Sequence, residues 1–375
     1  MNKLTIIFTF RDRDAERVKH SLDSLSAQTV RDFDVVFVDY GSSLIISQQI
    51  EKLVKSYSFV TYIYNDTRYR PWNRSHALNT GIRLATTEFV FTADVDMIFK
   101  SDFVELCYGM LDPGKAYFFS VYYLPKGYDL SRLNFGPEVE KSKAYALGLG
   151  LISRDVLAKM NGYDEFYCYW GKEDNDIESR LRNVGVETIF YDESVLLFHI
   201  YHETVHQKHA LIPDNWLNFQ DSYYKYSKDE PIRNLEFDWG VVREIGSRQC
   251  VEYIENPMSE FIYVDGRSDF FRYVLENQFI NSEPGTVVAL YYNETISETF
   301  KKSILYNVLE RINRLLAVMR LPLLIQSKYH QNYEDIFRAR DEVAHFISVF
   351  NKQIFDYSYL ISGHEIKVVL IKRAN

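Results

Sequence analysis

The sequence predicts an α/β protein with a mostly parallel central sheet flanked by helices, followed by a smaller α/β domain. Residues 4–10 and 33–40 are apolar runs without polar alternation, which is the pattern of strands buried on both faces. Residues 15–26, between them, carry apolar side chains three and four positions apart, which predicts a helix. A strand, a helix and a strand in succession favour parallel pairing through a right-handed crossover.

The same alternation continues to about residue 191. We predict helices at 45–57, 71–85, 101–111, 154–160 and from about 173, and strands at 60–64, 88–93, 116–123, 146–153 and 187–191. Ligands of such sheets bind at the carboxyl ends of the strands. Arg11, Asp39 and Asn65 each follow a predicted strand, so we expect all three at one crevice.

Length and composition limit the class of protein. We expect two domains in the 375 residues, at 1–212 and 213–375, because the pattern changes after about residue 211. The net charge of −9 argues against a general nucleic-acid-binding protein, which needs a basic surface. The aromatic content of 16% suits sugar binding and also ordinary cores. Three widely spaced cysteines, an N-terminus unlike a signal peptide and no apolar run of ~20 residues predict a cytoplasmic protein.

An acidic stretch follows the aromatic pair at residues 169–170. Glu173, Asp174, Asp176 and Glu178 lie within six residues, and the apolar spacing that follows predicts a helix whose first turn holds the acids. Two interpretations stay open at this point. The acids stabilise the helix start, where backbone N–H groups are unpaired, or one of them is a catalytic carboxylate beside an aromatic wall.

A second group of residues has the composition of a metal site. Asp94, Val95 and Asp96 follow a predicted strand, and alternate carboxylates at such a place can face one cation. This signal is weak by itself, because aspartate is common in loops. His199 and His202 are three residues apart, and both imidazoles can reach one ion.

Taken together, these segments resemble the β-1,4-galactosyltransferase family, within the GT-A group of nucleotide-sugar transferases. Six segments match motifs of that family in the same order. They are residues 10–13 for FRNR, 72–81 for FNRAKLLNVG, 94–96 for DVD, 161–163 for NGF, 170–177 for WGGEDDDI and 199–202 for MIRH. The resemblance covers about residues 1–210.

The resemblance assigns residues to a UDP-sugar donor. It implies that Arg11 and Arg13 face the diphosphate and ribose and that Asp39 lies at the uracil edge. It further implies that Trp72 stacks on uracil, that Arg74 contacts the nucleotide and that Asp94 lies near the donor sugar. Phe10 and Val95 belong to the same motifs and are assigned to the donor with them.

The resemblance also assigns the metal ligands and the acceptor side. Asp96, His199 and His202 would bind Mn²⁺, with Mg²⁺ as the alternative. The residues implied for a saccharide acceptor and for its activation are Trp170 and Gly171 in the wall of the site, Glu173 at sugar hydroxyls and Asp174 as the base.

Three positions bear on how closely the resemblance holds. Lys172 stands where the family has glycine, and His199 stands where it has methionine. An ungapped count back from Asn161 places Tyr145 where the family has a bulky residue beside the 2-substituent of the donor, which favours galactose over N-acetylgalactosamine.

From these residues we expect a metal-dependent, inverting hexosyltransferase of bacterial surface polysaccharide synthesis. A base opposite the leaving diphosphate means direct displacement and hence inversion. The acceptor is then a glycan or a lipid-linked saccharide. Two alternatives remain: a retaining N-acetylgalactosaminyl-type transferase, and a catalytically silent sugar-binding or scaffold subunit.

The C-terminal third has a second α/β pattern of unknown role. We predict strands at 261–264, 286–292 and 366–371 and helices at 268–276, 297–316 and 333–355, after a polar and aromatic bridge at 214–231. Acceptor recognition, dimerisation and docking on a partner transferase are all open as roles of this part. Arg311, Arg314 and Arg320 are either a solvated face, which we favour, or a peripheral contact with the inner face of an anionic membrane.

Overall fold

The computed structural model describes residues 3–130, 139–142, 147–194, 196–202, 213, 216–235, 238–264, 270–293, 308, 311–312, 315–316, 319 and 336–374. The chain forms two compact units, Met1–Ile245 and Gly246–Asn375. Each unit has its own sheet and its own hydrophobic core. Among the helices that the structure describes, none combines the length and the apolar content that crossing a bilayer requires.

The first unit is built on a seven-stranded sheet, and a second, four-stranded sheet lies in the same unit. Its strands are β1 (Leu4–Phe10), β2 (Phe33–Asp39), β3 (Val60–Tyr64), β4 (Phe89–Asp94), β5 (Met97–Phe99), β6 (Lys115–Phe119), β7 (Tyr122–Tyr123), β8 (Glu140–Lys141), β9 (Gly150–Ser153), β10 (Glu187–Tyr191) and β11 (Leu197–His199). The large sheet has the order β10-β6-β9-β4-β1-β2-β3, and β9 alone runs antiparallel to its neighbours. This confirms the predicted mostly parallel sheet. The small sheet has the order β5-β11-β7-β8.

The first unit has seven helices among the described residues, and two of them begin at a side-chain cap. They are α1 (Ala15–Ser26), α2 (Leu44–Val54), α3 (Arg74–Leu84), α4 (Phe103–Gly109), α5 (Arg154–Lys159), α6 (Glu173–Asn183) and α7 (Trp216–Ser227). The Asp14 side chain accepts a hydrogen bond from the Glu16 N–H at 2.8 Å and so caps α1. Asn73 caps α3 in the same way, accepting from the His76 N–H at 2.8 Å.

The register of the central strands brings their carboxyl ends to one edge. Phe10 at the end of β1 pairs with Asp39 at the end of β2, and Asp39 in turn pairs with Tyr64 at the end of β3. Thr9 pairs with Asp94 at the end of β4. The polar residues that follow these strands therefore start from neighbouring points, as expected for an α/β ligand site.

The first unit extends to residue 245, whereas the sequence pattern placed the boundary at 212. The predicted bridge is in fact α7, followed by a segment that packs on the first unit. Trp216 is 1% exposed, and its Nε1 donates to the carbonyl of Cys168 at 3.0 Å. Farther along, the carbonyl of Val241 accepts from Asn65 Nδ2 at 3.0 Å. The sequence pattern missed this packing because buried aromatic side chains alternate here with polar residues.

The second unit carries a sheet of order β12-β13-β15-β14 with helices around it. Its elements are α8 (Gln249–Glu255), β12 (Ile262–Val264), α9 (Phe270–Ile280), β13 (Val287–Asn293), α10 (Ile336–Val349), β14 (Ile354–Ser362) and β15 (Glu365–Lys372). The predicted strands at 261–264, 286–292 and 366–371 are confirmed to within a residue or two. The predicted helix at 297–316 lies largely outside the described residues, as do Arg314 and Arg320.

One strand of the second unit was not predicted. The expected helix at 333–355 ends at Val349, and residues 354–362 form β14 instead. The inward side of β14 includes Asp356, which is paired with buried Arg248 at 3.1 Å. A polar residue on the buried face removes the apolar alternation that marks a strand.

Candidate active site

Three side chains of the first unit form a cluster suited to one metal ion. Asp96, His199 and His202 each offer a ligand atom, and these atoms all lie within 4.8 Å of one another. His202 Nε2 lies 3.1 Å from Asp96 Oδ2, and His199 Nε2 lies 3.5 Å from Asp96 Oδ1. The structure thus brings together the three residues that the sequence suggested as ligands.

Strand register explains why these residues meet. Asp96 lies in the turn between β4 and β5, and His199 is the last residue of β11. β11 pairs with β5 so that His199 lies opposite Met97. The Ile200 N–H then donates to the carbonyl of Asp96 at 2.9 Å, which fixes the chain that leads to His202.

The chemistry of this cluster fits a divalent cation. Asp96 Oδ1 is buried and has no hydrogen-bond partner among the described residues, which is costly for a carboxylate oxygen unless a ligand completes it. Burial favours the neutral acid. The hydrogen bond from His202 and the charges of His199 and Arg13 nevertheless lower the pKa of Asp96, so the carboxylate is ready to bind a metal. One carboxylate with two imidazoles suits Mn²⁺, with Mg²⁺ less well matched.

The predicted donor residues at the ends of β1 and β2 have side chains that mostly contact other parts of the protein. Phe10 is 1% exposed and packs on Phe37 at 5.5 Å, and Val95 is 5% exposed, so both side chains lie in the core, and a contact of either residue with a donor stays a prediction. Asp39 is fully buried and accepts from the Ser42 N–H at 3.0 Å and the Tyr62 hydroxyl at 2.9 Å. Burial raises the pKa of Asp39.

Arg11 organises the wall of this crevice. Its guanidinium donates to the carbonyls of Tyr40, Thr67 and Arg70, and it lies 4.8 Å from the centre of the Tyr40 ring. Trp72, half-buried, meets the same Tyr40 ring edge to face at 5.6 Å. A contact of Arg11 or Trp72 with a nucleotide stays a prediction, and the structure shows that both shape the surface such a ligand would meet.

A basic pocket lies on one side of the metal-ligand cluster. It has a volume of about 450 Å³, and His202 forms part of its lining together with Arg13, Arg17 and Lys126. Arg17 comes from α1 and Lys126 from the loop after β7. The sequence reasoning missed these two residues, because single basic residues outside a motif give no signal of the pocket they share.

Arg74 links Asp94, two residues before the metal-ligand candidate Asp96, to Asp174 at the start of α6. Its Nη1 donates to Asp174 Oδ1 at 2.9 Å, its Nε to Asp94 Oδ1 at 3.2 Å and its Nη2 to the carbonyl of Gly148 at 2.6 Å. Burial would lower the pKa of Arg74, but the charges of Asp94 and Asp174 raise it above its ordinary value. Arg74 therefore stays charged and holds the side chain of Asp174 in one place.

Two neighbouring acids at the start of α6 have pKa values above their ordinary range. Burial and the charge of Asp174 raise the pKa of Glu173 to about 7. Burial also raises the pKa of Asp174, although Arg74 opposes the change. Asp174 is 28% exposed in its side chain and so remains open to a ligand. A carboxylate with a raised pKa in an accessible position is the arrangement expected of a general base.

Of the predicted acceptor residues, Trp170 is 45% exposed, and Tyr145 lies outside the described residues.

The loop before α6 has positive φ angles at Tyr169 (+66°), Gly171 (+101°) and Lys172 (+73°). Glycine adopts positive φ without strain, so Gly171 fits this loop easily, whereas Tyr169 and Lys172 adopt it at a cost.

Asp176, another acid of the first turn of α6, is buried inside the first unit. Asp176 and Arg180 have side chains that are both 0% exposed and lie 2.6 Å apart. Arg233, 3.7 Å from Asp176, also pairs with Asp164 at 3.0 Å. Asp176 therefore belongs to a buried network of two acids and two arginines beneath α6. No local pattern indicates this network, because Arg233 lies 57 positions from Asp176 along the chain.

Two family models match adjoining parts of the first unit. Residues 5–149 match Glycosyl transferase family 2, and residues 130–207 match the N-terminal domain of galactosyltransferase. β-1,4-Galactosyltransferase 4 of Mus musculus is 30% identical over 125 residues, which are 32% of this chain and 32% of that protein. The chain thus matches about a third of the length of this relative.

Two solved structures are similar at lower identity. The mannosyltransferase PcManGT from Pyrobaculum calidifontis, in complex with GDP-Man and Mn²⁺, has a TM-score of 0.40 and 21% identity over 56% of this chain and 59% of that chain. GalNAc-T7 with UDP, GalNAc and Mn²⁺ has a TM-score of 0.44 and 16% identity over 54% of this chain and 44% of that chain. The two family matches together span residues 5–207 and, with the Mus musculus relative, support a galactosyltransferase-like protein of the GT-A type.

Proposed function

We propose that this protein is a metal-dependent, inverting glycosyltransferase. It would transfer galactose or N-acetylgalactosamine from a UDP-sugar to a hydroxyl of a saccharide acceptor. One observation carries the proposal: the cluster of Asp96, His199 and His202 shares His202 with a basic pocket, and Asp94, two residues before Asp96, is linked through Arg74 to the carboxylate of Asp174.

The basic side suits the leaving group. Asp96, His199 and His202 would hold Mn²⁺ or Mg²⁺, and such an ion supplies positive charge to the oxygens of a departing diphosphate. Arg17 and Lys126 then add to the same positive field from the pocket wall. Charge developing on a leaving diphosphate is stabilised best by groups already in place, because they need no reorganisation.

The acidic side suits the acceptor. A sugar hydroxyl attacks poorly unless a base removes its proton, and a positioned carboxylate typically contributes 10²–10⁴-fold. Arg74 fixes Asp174 through one oxygen at 2.9 Å and leaves the side chain partly exposed. Asp174 would accept the proton while Glu173 binds neighbouring hydroxyls. Attack from the side opposite the diphosphate gives an inverted product.

The cellular role is proposed on the sequence pattern alone. We propose assembly of a bacterial surface polysaccharide, with a glycan or lipid-linked acceptor, in the cytoplasm or on the inner face of the membrane. The second unit would serve acceptor recognition or homodimerisation.

A direct experiment tests the proposed activity. Release of UDP is measured from UDP-galactose, UDP-N-acetylgalactosamine and UDP-glucose, with Mn²⁺ or with EDTA, over p-nitrophenyl glycosides as acceptors. We expect Mn²⁺-dependent release that rises with one acceptor, and an inverted linkage by NMR of the product. Retention at the anomeric carbon would show the retaining alternative, and UDP binding without release over the whole panel would show a silent scaffold.

A further inference from the structure

Helix α7 supports the loop that leads into the acidic start of α6. This loop, residues 168–172, presents Trp170 and comes directly before Glu173 and Asp174. Tyr169 and Lys172 are non-glycine residues with φ of +66° and +73°. A left-handed conformation costs such residues roughly 1–2 kcal/mol each, so contacts from elsewhere must hold the loop in this shape.

Gln220 on α7 supplies the most specific of these contacts. Its side chain is fully buried. Oε1 accepts from the Cys168 N–H at 3.2 Å, and Nε2 donates to the carbonyl of Trp170 at 2.9 Å. One amide therefore pairs with the backbone on both sides of Tyr169, as a neighbouring strand would. The N–H and C=O partners also fix which end of the amide is oxygen.

Further contacts from α7 reach the same loop. Trp216 Nε1 donates to the carbonyl of Cys168, and the Trp216 ring lies 5.3 Å from that of Tyr169. Asp221 pairs with Lys172 at 2.7 Å. These contacts come from a helix beyond residue 207, where the second family match ends. The chain thus holds the loop with residues outside its galactosyltransferase-like region.

We propose that Gln220 is a positioning residue for the saccharide acceptor. By fixing residues 168–170, it holds Trp170 toward the acceptor and sets where α6, and with it Asp174, begins. This inference rests on the proposed function. A sugar packs its apolar face on an aromatic ring, so a displaced ring loses the contact. A shift of about 1 Å in such a part of a site costs on the order of 10²-fold in rate.

Two substitutions and a matched control test the role of Gln220. Gln220→Leu removes both hydrogen bonds, and Gln220→Glu keeps the shape but loses the donor. Asn218→Asp makes the same amide-to-acid change on the same helix at an exposed position. For the p-nitrophenyl glycoside accepted by the wild type, we expect KM to rise at least ~10-fold in both Gln220 variants and to stay unchanged in the control. Affinity for UDP with Mn²⁺ should be unchanged in all three.

The pH dependence distinguishes positioning from a general loss of structure. A carboxyl group at position 220 is buried with one oxygen against the carbonyl of Trp170, so its pKa rises, and the protonated acid offers both a donor and an acceptor. Relative to the wild type at each pH, Gln220→Glu should therefore recover acceptor affinity as the pH falls. Gln220→Leu should not recover at any pH.

Hydrogen exchange provides a readout that needs no turnover. In Gln220→Leu, the amides of residues 168–170 should exchange at least ~10-fold faster than in the wild type and in Asn218→Asp, while the amides of α6 stay protected. If the wild type releases no UDP, the proposed function fails, and this exchange still decides whether Gln220 fixes the loop. Unchanged exchange at 168–170, or an equal loss of affinity for UDP and acceptor in Gln220→Leu, would overturn the inference.

Discussion

Asp174 and Asp176 are two positions apart in α6, but the structure gives them opposite roles. Asp174 is partly exposed and paired with Arg74, whereas Asp176 is fully buried between Arg180 and Arg233. We therefore expect Asp174→Asn to remove activity without loss of stability, and Asp176→Asn to lower stability first. The two substitutions make the same chemical change, so each serves as the control for the other.

The structure and general magnitudes set the size of both effects. Loss of a general base lowers turnover by at least ~10², which corresponds to about 2.7 kcal/mol in the activation barrier. Asp176→Asn leaves Arg180 and Arg233 with one buried carboxylate too few, and breaking such a network costs about 3–5 kcal/mol. That is a large part of the roughly 5–15 kcal/mol that stabilises a typical domain.

Tryptophan fluorescence isolates the relevant unit. Trp72, Trp170, Trp216 and Trp239 all lie in the first unit, so urea unfolding followed by fluorescence reports on that unit alone. Asp155→Asn provides a surface control, since the Asp155 side chain is 76% exposed. The assignment would be refuted by near-normal UDP release in Asp174→Asn, or by a wild-type urea midpoint in Asp176→Asn.

Three further predictions concern separate parts of the first unit. Lys172→Gly should change the free energy of unfolding in urea by less than about 1 kcal/mol, because relief of the strain at positive φ offsets the lost ion pair with Asp221. Lys172→Ala loses the same ion pair without this relief and should be clearly less stable. Equal urea midpoints in the two variants would argue against backbone strain at Lys172. Burial raises the pKa of Glu165 from 4.5 to about 7, so the folded protein binds this proton more tightly than the unfolded chain does. The stability that this group contributes is therefore present below pH 4.5 and is lost as the pH rises toward 7, and Glu165→Gln should reduce that loss by about 1–3 kcal/mol. The same dependence of stability on pH in Glu165→Gln and in the wild type would contradict this prediction. Replacing both Arg17 and Lys126 by alanine should weaken the binding of UDP with Mn²⁺ by about 3–10-fold, because two charges near the surface each contribute little, and should leave uridine binding unchanged. Both affinities are measured by calorimetry. An equal loss of affinity for UDP and for uridine would show that this pocket does not bind the diphosphate.

The sequence predicted those parts of the site that depend on strand ends. The strand before Asp94 was visible as a pattern, and the antiparallel register of β5 and β11 brings Asp96, directly before β5, near the two histidines. The order of motifs added the roles that spacing alone left open. Prediction succeeded here because buried strands have a local signature that does not depend on distant residues.

Contacts between distant polar residues could not be predicted in the same way. Asp176 looked like any acid of a first helical turn, and only the folded chain shows that Arg233 reaches it. Gln220 looked like a solvated residue in a polar segment, although it is buried against a backbone loop. Burial of a polar group depends on a partner far along the chain, and a single sequence carries no local sign of such a pair.

Calorimetric titration of Mn²⁺ into the UDP-bound protein tests most directly whether Asp96, His199 and His202 hold the cation. His202→Ala and Asp96→Asn should each weaken Mn²⁺ binding by at least ~10-fold, as loss of a direct ligand requires. His20→Ala, on α1 and outside this cluster, provides a matched histidine control and should bind as the wild type does. Wild-type affinity for Mn²⁺ in both His202→Ala and Asp96→Asn, with the fold intact, would contradict the metal site and the mechanism built on it.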